Sequence, residues 1–446
     1  MSESVLPAGP SQPAIVQTLR WLSQPVSFME SCRGRYGANF SVRFLGFGGP
    51  LVMLSEPQAI RALYTERSNG LPPGRSLAQP VLGASSVMLL EGDEHLAQRK
   101  LMLPSFHGER MRSYEGLMRE TAEREVQSWP SGEPFALYPH MQAVMMEVIL
   151  RAVFGVSDSS RAQQLRKLLG ELLDRSASGG WQLRLLLASR FKRGGLLAAP
   201  PRLLRVIDEV LLAEIAERRL DPRLAEHEDM LSLLMSARME DGVAMSDREL
   251  RDQLVTLLLA GHETTATALA WTLDLLLHNA PTLERLLEEL EGGVGDEYLR
   301  AVIAESLRLR PVLPLAGRRL AVDLHAGDLH LPAGTDVTPA IWLTHTRPDI
   351  YPEPYAFRPE RFLTDPPSTY AWIPFGGGLR RCLGASFAEF EMRVVLETVL
   401  RLRELAPVSP ETERIARRNV MFSPRNGTRV RASTKTKSAA KIVTAS

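Results

Sequence analysis

Cys382 lies in a loop rich in glycine and arginine, just before a predicted helix. The segment from residue 375 to 384 reads FGGGLRRCLG, and its glycines permit positive φ angles and close approach of a flat partner to the backbone. Arg380, Arg381 and the N–H groups of a helix N-terminus all favour a thiolate at Cys382. A thiolate can serve as a nucleophile, a redox thiol or a metal ligand, but a free cysteine is more often a buried packing residue. The loop alone therefore leaves the role of Cys382 open.

A polar patch interrupts the longest predicted helix. The sequence SDRE at 246–249 fits a capping box, and the helical pattern continues without proline to His278, which predicts about 33 residues or roughly 50 Å. Within it, AGHETT places Glu263 beside Thr264, and an acid beside a hydroxyl can relay protons into a closed pocket. Gly261 costs about 1 kcal/mol in a helix interior relative to alanine, and it leaves room for a ligand. The alternative interpretation is a solvated helix face without a chemical role.

Two further sets of charged residues occur at helical spacing. Glu305 and Arg308 are i,i+3 in ESLRLRP, and Arg361 lies in the irregular segment FRPERF. We expect these three residues to form a structural network with no direct chemistry. His95 and Arg99 are i,i+4 in EGDEHLAQRK and share one helix face. That face suits a carboxylate or phosphate partner, although such pairs usually face water.

Composition restricts the function classes. The chain has 446 residues, and its 53 basic and 52 acidic residues leave a net charge of +1, which argues against a nucleic-acid partner. Cys32 and Cys382 cannot build a disulfide framework, which fits a reducing compartment. The sequence shows no secretory signal and no apolar run of about 20 residues, so it predicts a cytoplasmic protein with no transmembrane anchor.

Hydrophobic periodicity predicts a mainly helical chain with a smaller β-rich part built from both ends. Residues 93 to about 290 are mostly helical, whereas residues 39–65 indicate a hairpin and then a helix. A second hairpin is predicted around Ala326-Gly327-Asp328, and two glycine-containing breaks predict a mobile connection at 176–201. The predicted organisation is a flexible Pro-rich segment at 1–13, a single domain at 14–430 and a disordered basic tail at 431–446.

Together these motifs resemble the cytochrome P450 superfamily, in particular its soluble bacterial and actinobacterial members. The loop matches the family's haem-binding signature Phe-x-x-Gly-x-Arg-x-Cys-x-Gly at Phe375, Gly378, Arg380, Cys382 and Gly384. Glu305, Arg308 and Arg361 resemble the family's Glu-x-x-Arg network, and AGHETT resembles the oxygen-activating segment of its central helix. The resemblance spans residues 30–430 and implies the cytochrome P450 fold, with a long central helix over a buried haem.

The resemblance also implies a cofactor and its ligands. Cys382 is expected to be the axial ligand of the iron in haem b, with Phe375 and Gly378 shielding the sulfur. The propionates are expected to be neutralised by His95, Arg99, Arg318 and Arg380. His95 stands where many members have tryptophan. A haem propionate can still accept a hydrogen bond from His95, so this role is expected to survive the exchange. Arg319 follows Arg318 directly, so either arginine is a candidate for the propionate contact.

The activity implied by the resemblance is that of a haem-thiolate monooxygenase. Gly261 is expected to leave room for dioxygen, and Thr264 and Glu263 are expected to deliver protons. One oxygen atom of O2 is inserted into a lipophilic substrate by hydroxylation or epoxidation, with electrons from a separate ferredoxin and an NAD(P)H-dependent ferredoxin reductase. Arg381 is a candidate docking residue for an acidic ferredoxin. The predicted apolar substrate lining is Leu77, Val81, Leu82, Trp181, Leu185, Val312, Leu313, Leu315, Val420, Met421 and Phe422.

Two other hypotheses remain at this stage. A haem-thiolate protein without catalysis would bind ligands or act as a sensor, although the Glu263–Thr264 pair argues against it. A protein without haem would use the glycine-rich loop as a phosphate cradle before a helix. The loop lacks the Gly-Lys-[Ser/Thr] ending of a phosphate-binding P-loop, which disfavours this second alternative.

Overall fold

The structure, a computed structural model, describes most of the chain. The described residues are 6–66, 75–106, 109–155, 160–177, 201–239, 242–293 and 295–435. The predicted mobile connection at 176–201 lies outside these ranges, except for residues 176–177 and 201, which belong to the flanking helices.

Helices account for most of the described residues, and none of them combines the length and apolar character needed to cross a bilayer. The helices are α1 (Ala14–Ser23), α2 (Pro25–Tyr36), α3 (Pro57–Thr65), α4 (Arg75–Leu82), α5 (Gly92–Met102), α6 (Glu109–Gln127), α7 (Leu137–Phe154), α8 (Ser160–Ala177), α9 (Pro201–Arg219), α10 (Met230–Ser236), α11 (Asp247–Leu277), α12 (Ala280–Gly292), α13 (Glu297–Leu309), α14 (Ile341–His345), α15 (Arg361–Thr364) and α16 (Ala385–Leu402). The strands are β1 (Asn39–Val42), β2 (Leu51–Leu54), β3 (Pro134–Ala136), β4 (Arg318–Arg319), β5 (Leu324–Ala326), β6 (Leu329–Leu331), β7 (Asp336–Pro339), β8 (Arg403–Pro407), β9 (Ile415–Arg418), β10 (Met421–Pro424) and β11 (Arg429–Thr434).

Helix α11 runs through the centre of the helical part. Its 31 residues correspond to about 46 Å at 1.5 Å per residue. The predicted capping box is present, because the Ser246 hydroxyl accepts from the Glu249 N–H while the Glu249 carboxylate accepts from the Ser246 N–H. Most of its residues are buried, since α7, α9, α13 and α16 pack around it. The prediction of a long, buried central helix is confirmed.

The small sheets join distant parts of the chain, as the sequence predicts. Strand β2 pairs antiparallel with β1 and parallel with β7, and β4 completes this four-stranded sheet. Strand β11 pairs with both β3 and β8 in a three-stranded sheet. Strands β5 and β6 form one hairpin, and β9 and β10 form another. The predicted hairpins at 39–65 and at 326–328 are therefore confirmed.

Both predicted ends of the domain need correction. Residues 431–434 continue β11, where Ala432 is buried and pairs with Leu405. Composition indicated a tail there, because the exposed residues Arg431, Ser433 and Thr434 are all polar. At the other end, residues 6–13 lie against β1, with the Ser41 N–H donating to the Ala8 carbonyl at 3.2 Å. These backbone pairings hold segments that the sequence predicts as flexible or disordered.

Candidate functional site

The glycines of the Cys382 loop pack against α3. Gly376 and Gly378 have φ angles of +67° and +63°, so the predicted positive φ is present. A Cβ on Gly377 would lie 2.2 Å from the ring of Tyr64, and one on Gly378 would lie 2.5 Å from the Tyr64 carbonyl oxygen. The flat group that these glycines admit is therefore the Tyr64 ring, a partner that the sequence did not indicate.

Cys382 lies between a 3₁₀ turn and the first turn of α16, with one side accessible. Its N–H donates to the Phe375 carbonyl at 2.9 Å, which closes the loop. Burial raises the pKa of the thiol, whereas a hydrogen bond from the Gly384 N–H and the charges of Arg381 and Arg99 act to lower it. Burial has the larger effect, so the loop's cations and helix N-terminus do not by themselves hold a thiolate. A bound metal ion would hold it, since coordination deprotonates a thiol outright.

The four residues predicted to bind propionates lie close enough to interact electrostatically. His95 is buried on α5, one helical turn from Arg99. Burial, followed by the positive charges of Arg380, Arg99 and Arg318, lowers the pKa of His95 to about 4. Within the described ranges, neither Arg99 nor Arg318 forms an ion pair with a carboxylate. Three guanidinium groups beside a neutral imidazole favour a ligand that carries more than one negative charge.

Arg318, rather than Arg319, belongs to this cluster. Arg319 donates from Nε and Nη2 to the Asp336 carboxylate across the β4–β7 pair, at 2.8 and 2.9 Å. Consecutive residues of a strand point to opposite faces, so Arg318 points inwards. Arg318 is buried, and burial lowers its pKa. The strand pairing therefore separates two arginines that the sequence could not distinguish.

Tyr64 is a site residue that the sequence analysis missed. Its hydroxyl oxygen is buried and has no hydrogen-bond partner among the described residues. Burial raises the pKa of Tyr64 to about 12, while the nearby charge of Arg318 acts to lower it. A buried hydroxyl without a partner is costly, and beside Arg318 it is suited to donate to an anionic ligand. A tyrosine at the end of an amphipathic helix is typical of core packing, so the sequence offered no signal.

Helix α11 exposes one short stretch in its otherwise buried middle. Ala260 is exposed and Thr264, one turn later, is half-buried. The Thr264 hydroxyl donates to the Ala260 carbonyl at 2.7 Å, the back-bond that is typical of threonine in helices. Gly261 faces α7 rather than this exposed stretch, since a Cβ there would lie 3.1 Å from Ile149 Cδ1 on α7. The structure therefore gives Gly261 a role in helix packing, and Ala260 and Thr264 form the open face.

Glu263 is directed away from that open face. Its carboxylate accepts from Arg418 Nε at 3.0 Å and from the Tyr138 hydroxyl at 3.4 Å. The Arg418 guanidinium also lies 5.2 Å from the centre of the Tyr138 ring. The pair is only partly shielded, because the Arg418 side chain is 27% exposed whereas that of Glu263 is 6% exposed. Arg418 comes from β9, and the sequence analysis did not identify it.

Helix α16, which begins just after Cys382, contacts α11 beside Thr264. Glu391 on α16 is buried and interacts with the hydroxyl of Thr265, and burial raises the pKa of its carboxyl well above the usual value. A protonated Glu391 can donate a hydrogen bond without the cost of a buried charge. This contact fixes the helix that carries the Cys382 loop relative to the central helix.

The predicted network of Glu305, Arg308 and Arg361 forms in the interior. Arg308 donates to both Glu305 oxygens at 2.6 and 2.8 Å, and both side chains are fully buried. Arg361 Nε approaches the same carboxylate at 3.4 Å. The remaining Arg308 N–H groups donate to the carbonyls of His345, Pro354 and Ala356. All N–H donors of one guanidinium are thus used.

This network connects to the Cys382 loop. His345 accepts from the Ile373 N–H at 2.9 Å, and Trp372 Nε1 donates to the Ala304 carbonyl of α13 at 3.1 Å. The Trp372 ring then lies edge-on to Phe375, with centroids 6.3 Å apart. The segment before Cys382 is therefore attached to α13 at several points, which explains how a glycine-rich loop keeps a defined position.

The residues of the predicted apolar lining differ in burial and packing. Val81, Leu82 and Leu313 are half-buried and pack on the main core. Phe422 instead lies in an aromatic cluster with Trp21 and Trp342. The remaining residues of the predicted lining differ in burial, or their side chains are not among those that the structure describes. Val420 is exposed, Val312 and Met421 are buried, Leu315 is half-buried, the Leu77 side chain is not described, and Trp181 and Leu185 lie outside the described ranges.

These features fit a haem. The Cys382 thiol can bind a metal ion as a thiolate, and the cations around His95 favour an anionic partner, which two propionates supply. The buried Tyr64 hydroxyl adds a donor to the same cluster. An iron porphyrin with carboxylate side groups satisfies all three requirements, whereas a phosphate ion leaves the thiol unexplained.

Comparison with known proteins supports the same conclusion, that this chain binds a haem. The family profile described as Cytochrome P450 matches residues 7–428. A Mycobacterium tuberculosis protein provisionally named cytochrome P450 135B1 is 40% identical over 433 residues, covering 96% of this chain and 91% of that protein. Another from the same organism, provisionally named cytochrome P450 137, is 41% identical over 402 residues, covering 89% and 83%.

Solved structures show the same architecture. Cyanobacterial CYP120A1 with bound retinoic acid superposes with a TM-score of 0.81 at 25% identity, covering 97% of this chain and all of that one. The haem domain of a cytochrome P450DA mutant gives a TM-score of 0.84 at 21% identity, covering 97% and 98%, which supports the fold alone. This chain therefore belongs to the cytochrome P450 family, the haem-thiolate monooxygenases whose iron is held by a cysteine.

Proposed function

We propose that this protein inserts one oxygen atom of O2 into a lipophilic substrate, using electrons from a ferredoxin and an NAD(P)H-dependent ferredoxin reductase. The observation that carries the proposal is the convergence of Arg99 with both Cys382 and His95. This proximity supports a single site that contains both the thiol ligand and the anion-binding cations. The half-buried apolar side chains of Val81, Leu82 and Leu313 favour a lipophilic substrate, and the related CYP120A1 is described with retinoic acid.

We assign the cofactor contacts as follows. Cys382 is the axial iron ligand, and Tyr64 donates a hydrogen bond to a propionate. The residues that hold the propionates are the cations Arg99, Arg318 and Arg380, together with His95 as a neutral hydrogen-bond donor. When bound, the haem supplies the reductive activation of O2 and the transfer of one oxygen atom. The protein's contribution is to position that chemistry and to supply protons.

Thr264 and Glu263 have separate parts in proton supply. The Thr264 hydroxyl, held by the Ala260 carbonyl, lies on the open face of α11 and can pass a proton across it. Glu263 is held at the side by Arg418 and Tyr138, where the partly exposed Arg418 side chain marks a route to solvent. In this proposal Glu263 relays protons from solvent, and Thr264 is the final donor.

Arg381 is the proposed contact for the electron donor. It is exposed and directly precedes Cys382. Its charge interacts with both Cys382 and Arg99, so it lies near the thiol. An acidic ferredoxin docked there would approach the iron from the cysteine side.

The proposal is tested by binding and turnover with a lipophilic library. Substrate-binding difference spectra of the holoprotein identify candidates, which are then oxidised in isotopically labelled O2 with a ferredoxin and reductase. Incorporation of one labelled atom per product supports the proposal. A ligand that perturbs the haem spectrum while no library member is oxidised supports the non-catalytic sensor instead.

Thr264→Ala is expected to uncouple electron consumption from product formation. The variant keeps the helix but removes the hydroxyl on the open face, so the product formed per NAD(P)H consumed should fall about a hundredfold, the lower end of the contribution of a positioned proton donor. Hydrogen peroxide should account for the missing electrons. Thr272→Ala is the control, because its hydroxyl makes the same back-bond, to Ala268 at 2.8 Å, elsewhere on α11. Equal coupling in the two variants would exclude the role of Thr264.

Tyr64→Phe is expected to weaken haem retention. A lost hydrogen bond to a charged group costs about 1.5–3 kcal/mol, which corresponds to about 10- to 100-fold faster haem loss. Transfer of haem to an excess of an apo-haem acceptor measures the rate. Tyr355→Phe is the control, since its hydroxyl donates to Glu30 at 2.7 Å on the surface. Haem loss from Tyr64→Phe at the wild-type rate would show that Tyr64 only packs against the glycines.

A further inference from the structure

The β5–β6 hairpin presents a group of metal-binding residues that the haem site does not use. Leu324 and Leu331 pair across the hairpin and are both buried. Side chains alternate between the two faces of a strand, so Asp323, His325 and His330 lie on the opposite, outer face. His325 and His330 are themselves directly paired across the strands. The strand register thus brings two imidazoles and one carboxylate to the same spot.

The three side chains are already close together. One potential ligand atom from each residue lies within 4.8 Å of the other two. His330 Nε2 lies 3.2 Å from Asp323 Oδ2, and the two imidazole rings stack with centroids 4.3 Å apart and planes 10° from parallel. The Ala333 N–H donates to the other Asp323 oxygen at 2.8 Å, which orients the carboxylate. Within the described ranges, this is the one such group of three histidine, cysteine or acidic residues.

The donor set favours a particular class of ion. Zinc bonds to imidazole nitrogen and carboxylate oxygen are about 2.0–2.2 Å, which at a tetrahedral angle separates ligand atoms by about 3.4 Å. For both imidazole lone pairs to point at one ion, the stacked rings must turn out of parallel, and the side chains have room to move because they are 40% exposed at His330 and 51% at Asp323. Two imidazoles favour zinc and similar transition metals over magnesium or calcium, which prefer oxygen ligands throughout.

The backbone limits how far the ligands can drift apart. Gly327 has a φ of +57° in the two-residue connection between β5 and β6, a conformation that suits a tight hairpin turn. The register, and with it the His325–His330 pairing, is therefore set by the turn and by the buried leucine pair. A bound cation would take the place of the contact between His330 Nε2 and Asp323 Oδ2.

We propose that the outer face of this hairpin binds one divalent transition-metal ion, of which Zn²⁺ is the representative. Asp323, His325 and His330 supply three ligands, and water completes the coordination shell. The site shares no residue with the haem site, although Asp323 lies only five positions after Arg318. The alternative is that the same contacts serve only to stabilise the hairpin, as cross-strand pairs commonly do.

Calorimetric titration of the metal-depleted holoprotein with ZnCl2 tests the proposal. Holoprotein is used so that the Cys382 thiol is engaged by iron and does not compete for zinc. Wild type should bind one ion per chain at this site. His325→Phe, which keeps the stacked ring, His330→Ala and Asp323→Asn should each weaken that binding at least tenfold, about the effect of losing one metal contact.

His227→Ala is the matched control. His227 also pairs with an aspartate, Asp221, at 2.8 Å on the surface, but it has no second histidine in a three-residue group. This variant should bind zinc as wild type does. Superimposable titrations for wild type and the three hairpin variants, or no zinc binding by wild type, would overturn the proposal. Far-UV circular dichroism confirms that each variant is folded.

Discussion

Cys382→Ala is expected to abolish the thiolate-type spectrum of the reduced, CO-bound protein and all product formation. The structure shows why the other cysteine cannot substitute. Cys32, the second cysteine of the chain, is buried in α2 within a separate hydrophobic cluster, away from the Cys382 loop. Spectra of the reduced CO complex, together with turnover, measure both losses. Some haem should remain bound, because the cations around His95 are unchanged.

Cys32→Ala is the matched control for this experiment. Burial raises the pKa of the Cys32 thiol, and the side chain packs with Phe28 and Met29. Its removal should leave the reduced CO spectrum unchanged, at the cost of a small cavity. An unaltered spectrum in Cys382→Ala would remove Cys382 as the ligand, whatever the behaviour of Cys32→Ala.

Glu305→Gln is expected to destabilise the protein strongly while leaving the haem ligands themselves intact. The amide keeps the shape of the side chain, but the fully buried Arg308 charge loses its counter-charge. Breaking a buried ion pair on one side costs about 3–5 kcal/mol. Urea unfolding followed by far-UV circular dichroism measures the change, and haem content after expression reports whether the Cys382 loop still forms.

Glu115→Gln provides the comparison on the surface. Glu115 pairs with Arg119 at 3.1 Å in an i,i+4 arrangement, with exposed fractions of 43% and 34%. Water already screens this pair, so its loss should cost no more than about 1 kcal/mol. If Glu305→Gln were as mild as Glu115→Gln, the Glu305 network would not be the structural support proposed for the loop.

Arg308→Lys separates charge from geometry in the same network. Lysine keeps the positive charge, but its ammonium has fewer donors and lacks the planar fork. The carbonyls of Pro354 and Ala356 would lose their donor. The variant should therefore remain destabilised despite the conserved charge, because the guanidinium also holds the backbone that leads towards the cysteine loop.

Much of this protein follows from local sequence patterns. The 3.6-residue periodicity and the SDRE cap determine the central helix, because helix formation depends on neighbours within a few positions. Period-two alternation and the glycine turn determine the β5–β6 hairpin in the same way. Fixed spacing on one element decides which side chains can meet. The sequence alone therefore predicted the Cys382 loop and the pairs Glu305–Arg308 and His95–Arg99.

Contacts between distant segments could be assigned only from the tertiary structure. Tyr64 beside Gly377, and Arg418 beside Glu263, are separated by long stretches of chain, and no local pattern marks their partners. Strand pairing alone assigned Arg319 to Asp336, and through it Arg318 to the cation cluster. The ends of the domain were also misjudged from composition, because β11 is stabilised by pairing with β3 and β8 rather than by its own residues.

The ionisation of Cys382 likewise depends partly on local sequence and partly on tertiary structure. The neighbouring arginines and the following helix, all visible in the sequence, favour a thiolate. Burial, which depends on everything packed around the loop, has the opposite and larger effect on the thiol pKa. The sequence by itself identified Cys382 as the candidate ligand, whereas the tertiary structure decided the balance of effects on its thiol pKa, because desolvation is a property of the whole fold.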